Sequence, residues 1–324
     1  MIVVLAGGIG AARFLRGLLN VVPPAEVTVI GNTGDDITLH GLRVCPDLDT
    51  VMYTLGGGIH EEQGWGRADE RFTVAQELAA YGEPTWFTLG DRDIATHLVR
   101  TRLLAAGRPL SEVTRALCAR WNLPFSLLPM TDAMVETRVV AGGDEMHFQE
   151  YWVGLHASIE VDRVWLAGAA NATPAPGVVE AIMAADIVLL PPSNPVVSIG
   201  TILEVPGIRA AVERTRAPVV GVSPIIGNAP VRGMADKMLA AIGVDCSAYG
   251  VARHYGARLL DGWLVDSVDG PEAAGAAGAA GAAGAAGAQI EGITVEARPL
   301  WMTDIEATAA IAKAALNLAE RVRA

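Results

Sequence analysis

Three glycines near the start of the chain have the spacing of a phosphate-binding turn. Gly7, Gly8 and Gly10 follow directly on the apolar run at residues 2–6. Glycines at the end of a strand let the backbone turn tightly, and the next helix then offers free N–H groups to an anion. Arg13 can add a contact to a phosphate oxygen. Arg13 occupies the third glycine position of a dinucleotide fingerprint, and no P-loop lysine follows, so the turn predicts phosphate binding without specifying a cofactor.

Four aspartates lie within 15 positions after the second apolar run: Asp35, Asp36, Asp47 and Asp49, with Asn32 just before them. Magnesium takes one or two carboxylates and keeps waters and substrate phosphates as its other ligands. Acidic side chains beside a phosphate-binding turn would repel a nucleotide unless a cation lay between them. The cluster therefore predicts a magnesium ligand, although Asp36 and Asp49 also suit turns and helix caps.

A third group of polar residues follows the apolar run at 85–90. Asp91, Arg92 and His97 are expected at a junction between a strand and a helix. Histidine side chains titrate near neutral pH, which makes His97 a candidate for the substrate site. A lone histidine more often has a structural role, so that alternative stays open.

Ser193 and Asn194 lie between prolines, after the apolar run at 187–190. Such a loop exposes hydroxyl, amide and backbone groups that can bind a base or a phosphate. An ordinary tight loop is the alternative. A similar case applies to the segments 223–226 and 232–235.

Short apolar runs that end in Gly or Asn alternate with segments of helical pattern. Continuous β-branched runs are typical of strands buried on both faces of a parallel sheet. Strands are predicted in 2–8, 27–34, 85–91, 164–170, 187–194 and 219–227, and helices in 11–22, 111–121, 176–185 and 303–322. In the last helix, Thr303 and Glu306 predict a capping box. The alternation predicts an α/β fold with a Rossmann-like open parallel sheet, which binds ligands beyond the carboxyl ends of its strands.

Two stretches depart from this alternation. Residues 91–160 are predicted to form a smaller inserted α+β subdomain, helical first and then a hairpin within 135–153. Residues 1–90 and 161–324 would then form the nucleotide-binding core. Tandem Ala-Ala-Gly triplets at 273–287 lack the side chains to pack a core and are expected to form a flexible surface loop without a function.

Bulk composition excludes several classes of protein. The 324 residues carry a net charge of −12, which argues against broad binding to nucleic acid. Three cysteines without metal-type spacing suggest reduced thiols in the cytoplasm. No apolar run is long enough for a transmembrane helix, and no signal peptide is evident, so no membrane partner is expected.

The motifs together resemble the 2-phospho-L-lactate transferase family, which builds the lactyl-phosphate linkage of coenzyme F-420. The resemblance covers essentially the whole chain and is carried by GGIGAARFL, GDD, HGLRVCPDLDTVMYTLGG, GWG, WFTLGDRDIATHLVR, HFQEYWV, PGVVEAI, ADIVLLPPSNPVVSIGTIL, SPIIGNAPVRGMADK and MTD. The segment RVCPDLDTVMYTLGGG looks most like the corresponding sequence of the actinobacterial branch, whose members are phosphoenolpyruvate transferases. Two features depart from the family: Ala11, where glycine is common, and the Ala-Ala-Gly tract.

This resemblance implies a homodimer that binds Mg²⁺ through Asp35 and Asp47. It also implies a guanosine nucleotide over the glycine turn and the Ser193 loop. Asn32, Asp91 and Arg92 are candidates for further contacts with that nucleotide. The ribityl hydroxyl of the deazaflavin precursor Fo would attack the phosphorus of a guanosine diphosphate-linked donor, and GMP would leave. Arg13 would neutralise phosphate charge, and Asp49, Asp36 or His97 would orient or deprotonate the hydroxyl, with Asp49 as the first choice.

Two other functions fit parts of the sequence. A regulatory nucleotide-sugar-binding protein of the same fold would share the glycine turn and the Asp-Asp turn, although the PDLD and GDRDIATHL segments resemble the enzymes. A nicotinamide dehydrogenase lacks support because the fingerprint glycine is missing. Whether the transferred group is phosphoenolpyruvate or phospholactate stays open, since a pocket separates such close isosteres poorly.

Overall fold

The computed structural model describes residues 1–270, 290 and 292–323. The strands, in chain order, are β1 (Ile2–Ala6), β2 (Val27–Gly31), β3 (Ile37–Leu39), β4 (Leu42–Val44), β5 (Ser126–Pro129), β6 (Glu136–Ala141), β7 (Asp144–His147), β8 (Val161–Ala167), β9 (Ile187–Leu190), β10 (Val219–Val222), β11 (Ile225–Ile226), β12 (Ala229–Pro230), β13 (Gly262–Val265) and β14 (Thr294–Ala297). The Ala-Ala-Gly tract at 273–287, predicted as a flexible loop, lies outside the described residues.

The α-helices, in chain order, are α1 (Gly8–Leu18), α2 (Pro46–Leu55), α3 (Thr73–Ala80), α4 (Asp91–Ala105), α5 (Leu110–Arg120), α6 (Val178–Ala184), α7 (Ile199–Glu204), α8 (Ile208–Arg214), α9 (Ala235–Ala241), α10 (Ala248–Tyr255) and α11 (Ile305–Arg323). Each of the four segments predicted to be helical overlaps one of them. Within the described part of the chain, no helix is both long and apolar enough to span a bilayer.

A seven-stranded parallel sheet forms the centre of the fold, in the order β14-β13-β10-β9-β1-β2-β5. Every residue of β1, β2 and β10 is buried, which explains why these strands are continuous apolar runs in the sequence. The strand order reverses between β1 and β9, and ligands of such sheets bind at that point, beyond the carboxyl ends. The predicted Rossmann-like α/β fold is confirmed.

Helices cover both faces of the sheet, so successive residues of one strand enter different cores. Val3 and Leu5 pack with the helices α6 to α10, whereas Ile2, Val4 and Ala6 pack with α1, α2, α5 and α11. This alternation follows from the two-residue period of side chains along a strand. Burial of β1 on both sides fixes the position of the glycine turn that follows it.

The strand predicted at 85–91 is wrong: residues 84–90 form no strand. The apolar side chains of this segment fill a small separate core against the β3–β4 hairpin. There Trp86 and Phe87 pack edge to face, and Leu89 contacts Ile37 and Val44. A short apolar run satisfies such a satellite core as well as it satisfies a sheet, so periodicity alone does not separate the two.

The strand predicted at 164–170 exists as β8, but it lies outside the parallel sheet. It pairs antiparallel with β6, which also pairs with β7 across the predicted turn, so the hairpin within 135–153 is confirmed. β5, at the edge of the large sheet, falls within residues 91–160, and β8 falls after them. The proposed division at residues 90 and 160 stays a prediction.

The capping box predicted for the last helix is wrong in its cap residue. The Oδ1 atom of Asp304 accepts a hydrogen bond from the backbone N–H of Ala307 at 2.7 Å, and α11 begins at Ile305. The hydroxyl of Thr303 donates to Asp304 Oδ2 instead of capping the helix itself. Aspartate is as good an N-cap as threonine, so the two neighbours were equally acceptable on residue type.

Replacing Asp304 by Ala is expected to lower the free energy of unfolding by about 1 kcal/mol, because an N–H of the first helical turn loses its acceptor. Urea unfolding followed by circular dichroism measures the change. Thr303→Ala is the matched control and should change stability by less than half as much. A larger loss of unfolding free energy in the Thr303 variant would show that Thr303 is the N-cap residue.

Candidate functional site

A cavity of about 810 Å³ opens at the carboxyl ends of the central strands. Loops that follow β1, β2, β9 and β10 line it, together with the first turns of α2 and α4. It therefore spans the point where the strand order reverses, which is where Rossmann-like sheets bind their ligands. Most of the predicted site residues line this cavity: Gly7, Gly8, Gly10, Arg13, Asp35, Asp47, Asp49, His97, Ser193 and Asn194.

The glycine turn packs directly against the loop after β9. A Cβ atom on Gly10 would lie 2.2 Å from the carbonyl oxygen of Pro192, and one on Gly7 would lie 2.6 Å from Ser198 Cβ. The hydroxyl of Ser193 donates to the carbonyl oxygen of Gly7 at 2.8 Å. These two glycines thus permit contact between two loops. Gly8, with φ of +68°, supplies the left-handed conformation that starts α1.

The start of α1 offers backbone N–H groups to an anion, although that of Gly8 already bonds the Asp47 carboxylate. Gly7, at its N-cap, makes no side-chain cap, and the first turn contains no acidic residue. Free N–H groups at a helix N-terminus bind phosphate, and the helix dipole favours negative charge there. The geometry therefore suits the phosphate binding that the sequence predicts for this turn.

Asp35 and Asp47 form a pair of buried carboxylates that both line the cavity. Asp47 Oδ2 accepts a hydrogen bond from the amide of Asn32 at 2.9 Å. Asp35 accepts from Thr137 at 3.2 Å and from Gln149 at 3.4 Å. Burial raises the pKa of both groups, that of Asp47 to about 6, and the charge of Asp47 raises the pKa of Asp35 further. Two like charges held in this way favour a cation between them.

The donor set of this pair suits magnesium. Among residues 1–270, 290 and 292–323, no group of three or more His, Cys, Asp or Glu side chains is arranged to hold a metal. Two carboxylates are enough for Mg²⁺, which completes its octahedron with water and substrate phosphates. The oxygen-only set also excludes the nitrogen and sulfur ligands that structural zinc prefers.

Asn32 positions Asp47 from outside the cavity. It is fully buried, and its Oδ1 atom accepts hydrogen bonds from the Thr201 hydroxyl at 2.8 Å and the Gly34 N–H at 2.9 Å. Those two bonds orient its amide group toward Asp47. The predicted nucleotide contact of Asn32 stays a prediction, whereas its contact with a cavity carboxylate is observed.

Asp36 lies below the site and not in it. Its Oδ2 atom accepts from the Cys45 thiol at 2.9 Å and lies 3.4 Å from Arg43 Nη2. Burial raises its pKa to about 7 in spite of the Arg43 charge. Asp36 thus fixes the chain between β2 and α2 and does not line the cavity.

A second polar cluster joins α2 to α4 at the wall of the cavity. Arg100 forms an ion pair with Asp49 Oδ1 and donates to His97 Nδ1 at 2.9 Å. Since arginine only donates, Nδ1 of His97 accepts and its hydrogen sits on Nε2. That atom lies 3.2 Å from Asp93 Oδ2, and the Tyr53 hydroxyl donates to Asp93 Oδ1 at 2.6 Å. Asp93, His97 and Arg100 thus share one face of α4, at helical spacing.

Asp91 and Arg92 do not line the cavity. Asp91 accepts a hydrogen bond from the backbone of Val74 at 3.0 Å, which lowers its pKa. Arg92 donates to the carbonyl oxygen of Ala68 at 3.3 Å. Both residues hold the segment at 68–74 against the start of α4. Their predicted ligand contacts stay predictions.

Asp93 and the aromatic residues of the cavity were not among the predicted site residues, whereas Arg232 belongs to the segment 232–235 that the sequence singles out as a possible binding loop. Arg232 and Asp93 line the cavity, and so do aromatic side chains that form much of its wall: Tyr53, Trp65, Phe72, Trp86, Phe87, Phe148 and Trp152. Four of these aromatic residues, Trp65, Phe72, Trp86 and Phe87, lie in the segment at 56–90, which contributes no strand to the large sheet. The one signal in the sequence is a local concentration of aromatics in a chain that has only 5% of them.

The family model for 2-phospho-L-lactate transferase CofD matches residues 2–298. A phosphoenolpyruvate transferase of Streptomyces griseus subsp. griseus is 64% identical over 100% of this chain and 99% of its own length. Another, from Thermobifida fusca, is 60% identical over 98% of this chain and 97% of its own length. A third, from Mycolicibacterium smegmatis, is 51% identical over 98% of each chain. The solved structure of protein BH3568 from Bacillus halodurans has a TM-score of 0.62 at 18% identity, covering 97% of this chain and 98% of that one.

Gly10→Ala is expected to lower the free energy of unfolding by about 1–3 kcal/mol, because the new methyl group would overlap the Pro192 carbonyl and push two loops apart. Chemical denaturation measures the loss. Gly154→Ala is the matched control, since its methyl group would lie at an ordinary 3.5 Å from Trp86. Equal stability of the two variants would show that the loops tolerate separation.

Proposed function

The chain belongs to the 2-phospho-L-lactate transferase CofD family, and we propose on that basis that it moves a phosphoenolpyruvyl (or 2-phospholactyl) group. The donor is linked to guanosine diphosphate, the acceptor is the ribityl hydroxyl of the deazaflavin Fo, and GMP leaves. Phosphoenolpyruvate transferases among the relatives favour the enolpyruvyl donor and favour a transferase over a regulatory nucleotide-sugar-binding protein. The observation that carries the proposal is the buried Asp35–Asp47 pair beside the open start of α1.

The donor diphosphate fits between the start of α1 and the carboxylate pair. The N–H groups of the glycine turn supply hydrogen bonds, and Ser193 and Asn194 lie on the loop packed against that turn. Asn194 already bonds the N–H groups of Val196 and Val197 through its Oδ1 atom, so its own amide hydrogens are left for the nucleotide. This arrangement supports guanosine binding along the loop after β9.

Asp35 and Asp47 would hold Mg²⁺, whose charge neutralises phosphate oxygens during phosphoryl transfer. The residues themselves do the positioning. Asn32 turns Asp47 toward the glycine turn, while Thr137 and Gln149 hold Asp35. Because each carboxylate has its own hydrogen bonds, the distance between Asp35 and Asp47 does not depend on the substrate.

Asp49 is the residue that we propose to accept the hydrogen of the attacking hydroxyl. Arg100 occupies its Oδ1 atom, but Oδ2 is buried and has no hydrogen-bond partner among the described residues. His97 is less suited, because its only lone pair already accepts from Arg100. In this proposal His97 and Arg100 orient Asp49, and Asp49 alone contacts the acceptor.

The aromatic wall suits a flat heterocycle. Trp65, Trp86 and Trp152 all line the cavity, and Trp65 is 50% exposed. Large aromatic faces left open to a cavity favour stacking with a ligand ring. They support the deazaflavin as the acceptor. A homodimer in the cytoplasm is the assembly and location that we propose with it, as the resemblance implies.

The purified protein, incubated with Fo, Mg²⁺ and guanosine diphosphate-linked enolpyruvate, should release GMP and give a product heavier than Fo by one phosphoenolpyruvyl group. Mass spectrometry of parallel reactions with the enolpyruvyl and the lactyl donor identifies the transferred group. GMP release without any adduct on Fo would contradict the proposed acceptor, and no GMP from either donor would contradict the proposed reaction.

Mg²⁺ should raise the Tm by a few degrees at pH 8 and much less at pH 5, because the cation binds only ionised carboxylates. The pKa of Asp47, raised from 3.8 to about 6, sets this window. In metal-free protein the same shift opposes folding, so its contribution makes stability fall as the pH rises through that range. Thermal unfolding with and without a chelator measures both effects.

The matched variants for this experiment are Asp47→Asn and Asp162→Asn. Asp162 is exposed on β8, away from the cavity. The Asp47 variant should lose the Mg²⁺-dependent rise in Tm, and the Asp162 variant should keep it. A rise that survives in the Asp47 variant, or that is the same at both pH values, would exclude this site.

A further inference from the structure

Arg13 and Arg232 bring two positive charges together at the mouth of the cavity. Both line it, although Arg13 lies on α1 and Arg232 follows β12. Their guanidinium groups approach one point, the position that a Cβ atom would take on Gly64. From that point Arg232 Nη1 is 3.6 Å away and Arg13 Nη2 is 3.9 Å away. The Cγ2 methyl group of Ile9 lies nearer to that point, at 3.1 Å, so an anion would bond both guanidinium groups from the cavity that they line.

Neither guanidinium has an acidic partner in the part of the chain that the structure describes. Within the described ranges, no carboxylate lies in ion-pair distance of Arg13 or Arg232. The contrast with Arg16, three residues further along α1, is direct, because Arg16 pairs with Glu61 at 2.7 Å. Both arginines line the cavity, so a charge that no acid group neutralises is available there to an anion.

Arg232 is also held in place and does not move freely in solvent. Its Nη2 atom donates to the carbonyl oxygen of Gln63 at 2.7 Å, and its guanidinium lies over the ring of Trp65 at 5.3 Å. Burial and the positive charge of Arg13 lower the pKa of Arg232. A fixed guanidinium beside a like charge is stabilised by an anion that bonds both.

The proposed donor carries three anionic groups, and two of them already have partners in the cavity. The two phosphates are matched by the start of α1 and by a cation at Asp35 and Asp47. The third group is the carboxylate of the three-carbon acid, whose two oxygens suit the planar donor sets of guanidinium groups.

We infer that Arg13 and Arg232 form the subsite that binds the carboxylate of the transferred acid. This inference rests on the proposed function and reassigns Arg13, which the sequence predicted to bind phosphate. The subsite would recognise a 2-oxy carboxylate in either the enolpyruvyl or the lactyl form. It would also reject a donor in which the carboxylate is missing.

Two ligands that differ only in the carboxylate test this subsite. One is guanosine diphosphate linked to lactate through its 2-oxygen. The other is linked to isopropanol, which replaces the carboxylate by a methyl group. Calorimetry with Mg²⁺ should show that the wild-type chain binds the lactyl ligand roughly tenfold more tightly, as expected for charge-assisted hydrogen bonds. Arg232→Gln should bind both ligands equally, and Arg13→Gln should do the same.

Arg16→Gln is the matched control, because it removes a charge from α1 outside the cavity and should keep the tenfold preference. GDP has both phosphates but no carboxylate. Titrating it into every variant therefore distinguishes an effect on phosphate binding from an effect on carboxylate binding. If Arg232→Gln weakens GDP as much as the lactyl ligand, the pair binds a phosphate and the inference is overturned. Equal affinity of the wild-type chain for the two ligands overturns it as well. Calorimetry measures binding and does not require turnover. Failed transfer to Fo would therefore contradict the proposed function without affecting the test of the carboxylate subsite.

Discussion

The candidate site depends on two carboxylates that are buried beside the start of α1, where the proposed donor would place its phosphates. Asp35 and Asp47 carry like charges and lie beside the start of α1, in a chain that is itself strongly acidic. Burial raises the pKa of both. The two carboxylates repel each other when they are ionised without a cation. A cation bound together with a polyphosphate would offset this repulsion. The surrounding hydrogen bonds from Asn32, Thr137 and Gln149 maintain this arrangement.

Arginines around the cavity divide into two kinds. Arg100 is almost completely buried and paired with Asp49, and it holds His97 as well. Arg13 and Arg232 lie at the mouth without an acidic partner among the described residues. A paired arginine orients neighbouring side chains, whereas an unpaired one is available to a ligand. Arginine thus has a structural role behind the cavity wall and, in the subsite that we infer, a role in ligand recognition at the mouth.

The parts predicted from sequence are those whose signal is local. β1, β2, β9 and β10 are continuous apolar runs because both faces of the sheet are covered, and the loops after them had to meet at one edge. Trp86 and Phe87 misled the prediction, since a satellite core and a strand use the same residues. Arg100, Arg232 and the aromatic wall depend on segments brought together from distant parts of the chain. No pattern in one sequence shows that Arg13 and Arg232 approach each other beside Gly64.

Thr137 lies on β6, in the antiparallel sheet, yet its hydroxyl holds a carboxylate at the edge of the parallel one. Gln149, just after β7, makes the second such bond. In the proposed metal site, occupancy by the ion and docking of the small sheet would therefore be thermodynamically coupled, and the coupling would be reciprocal. A change that destabilises the docking of the small sheet would weaken ion binding by the same free energy that the bound ion adds to the docking.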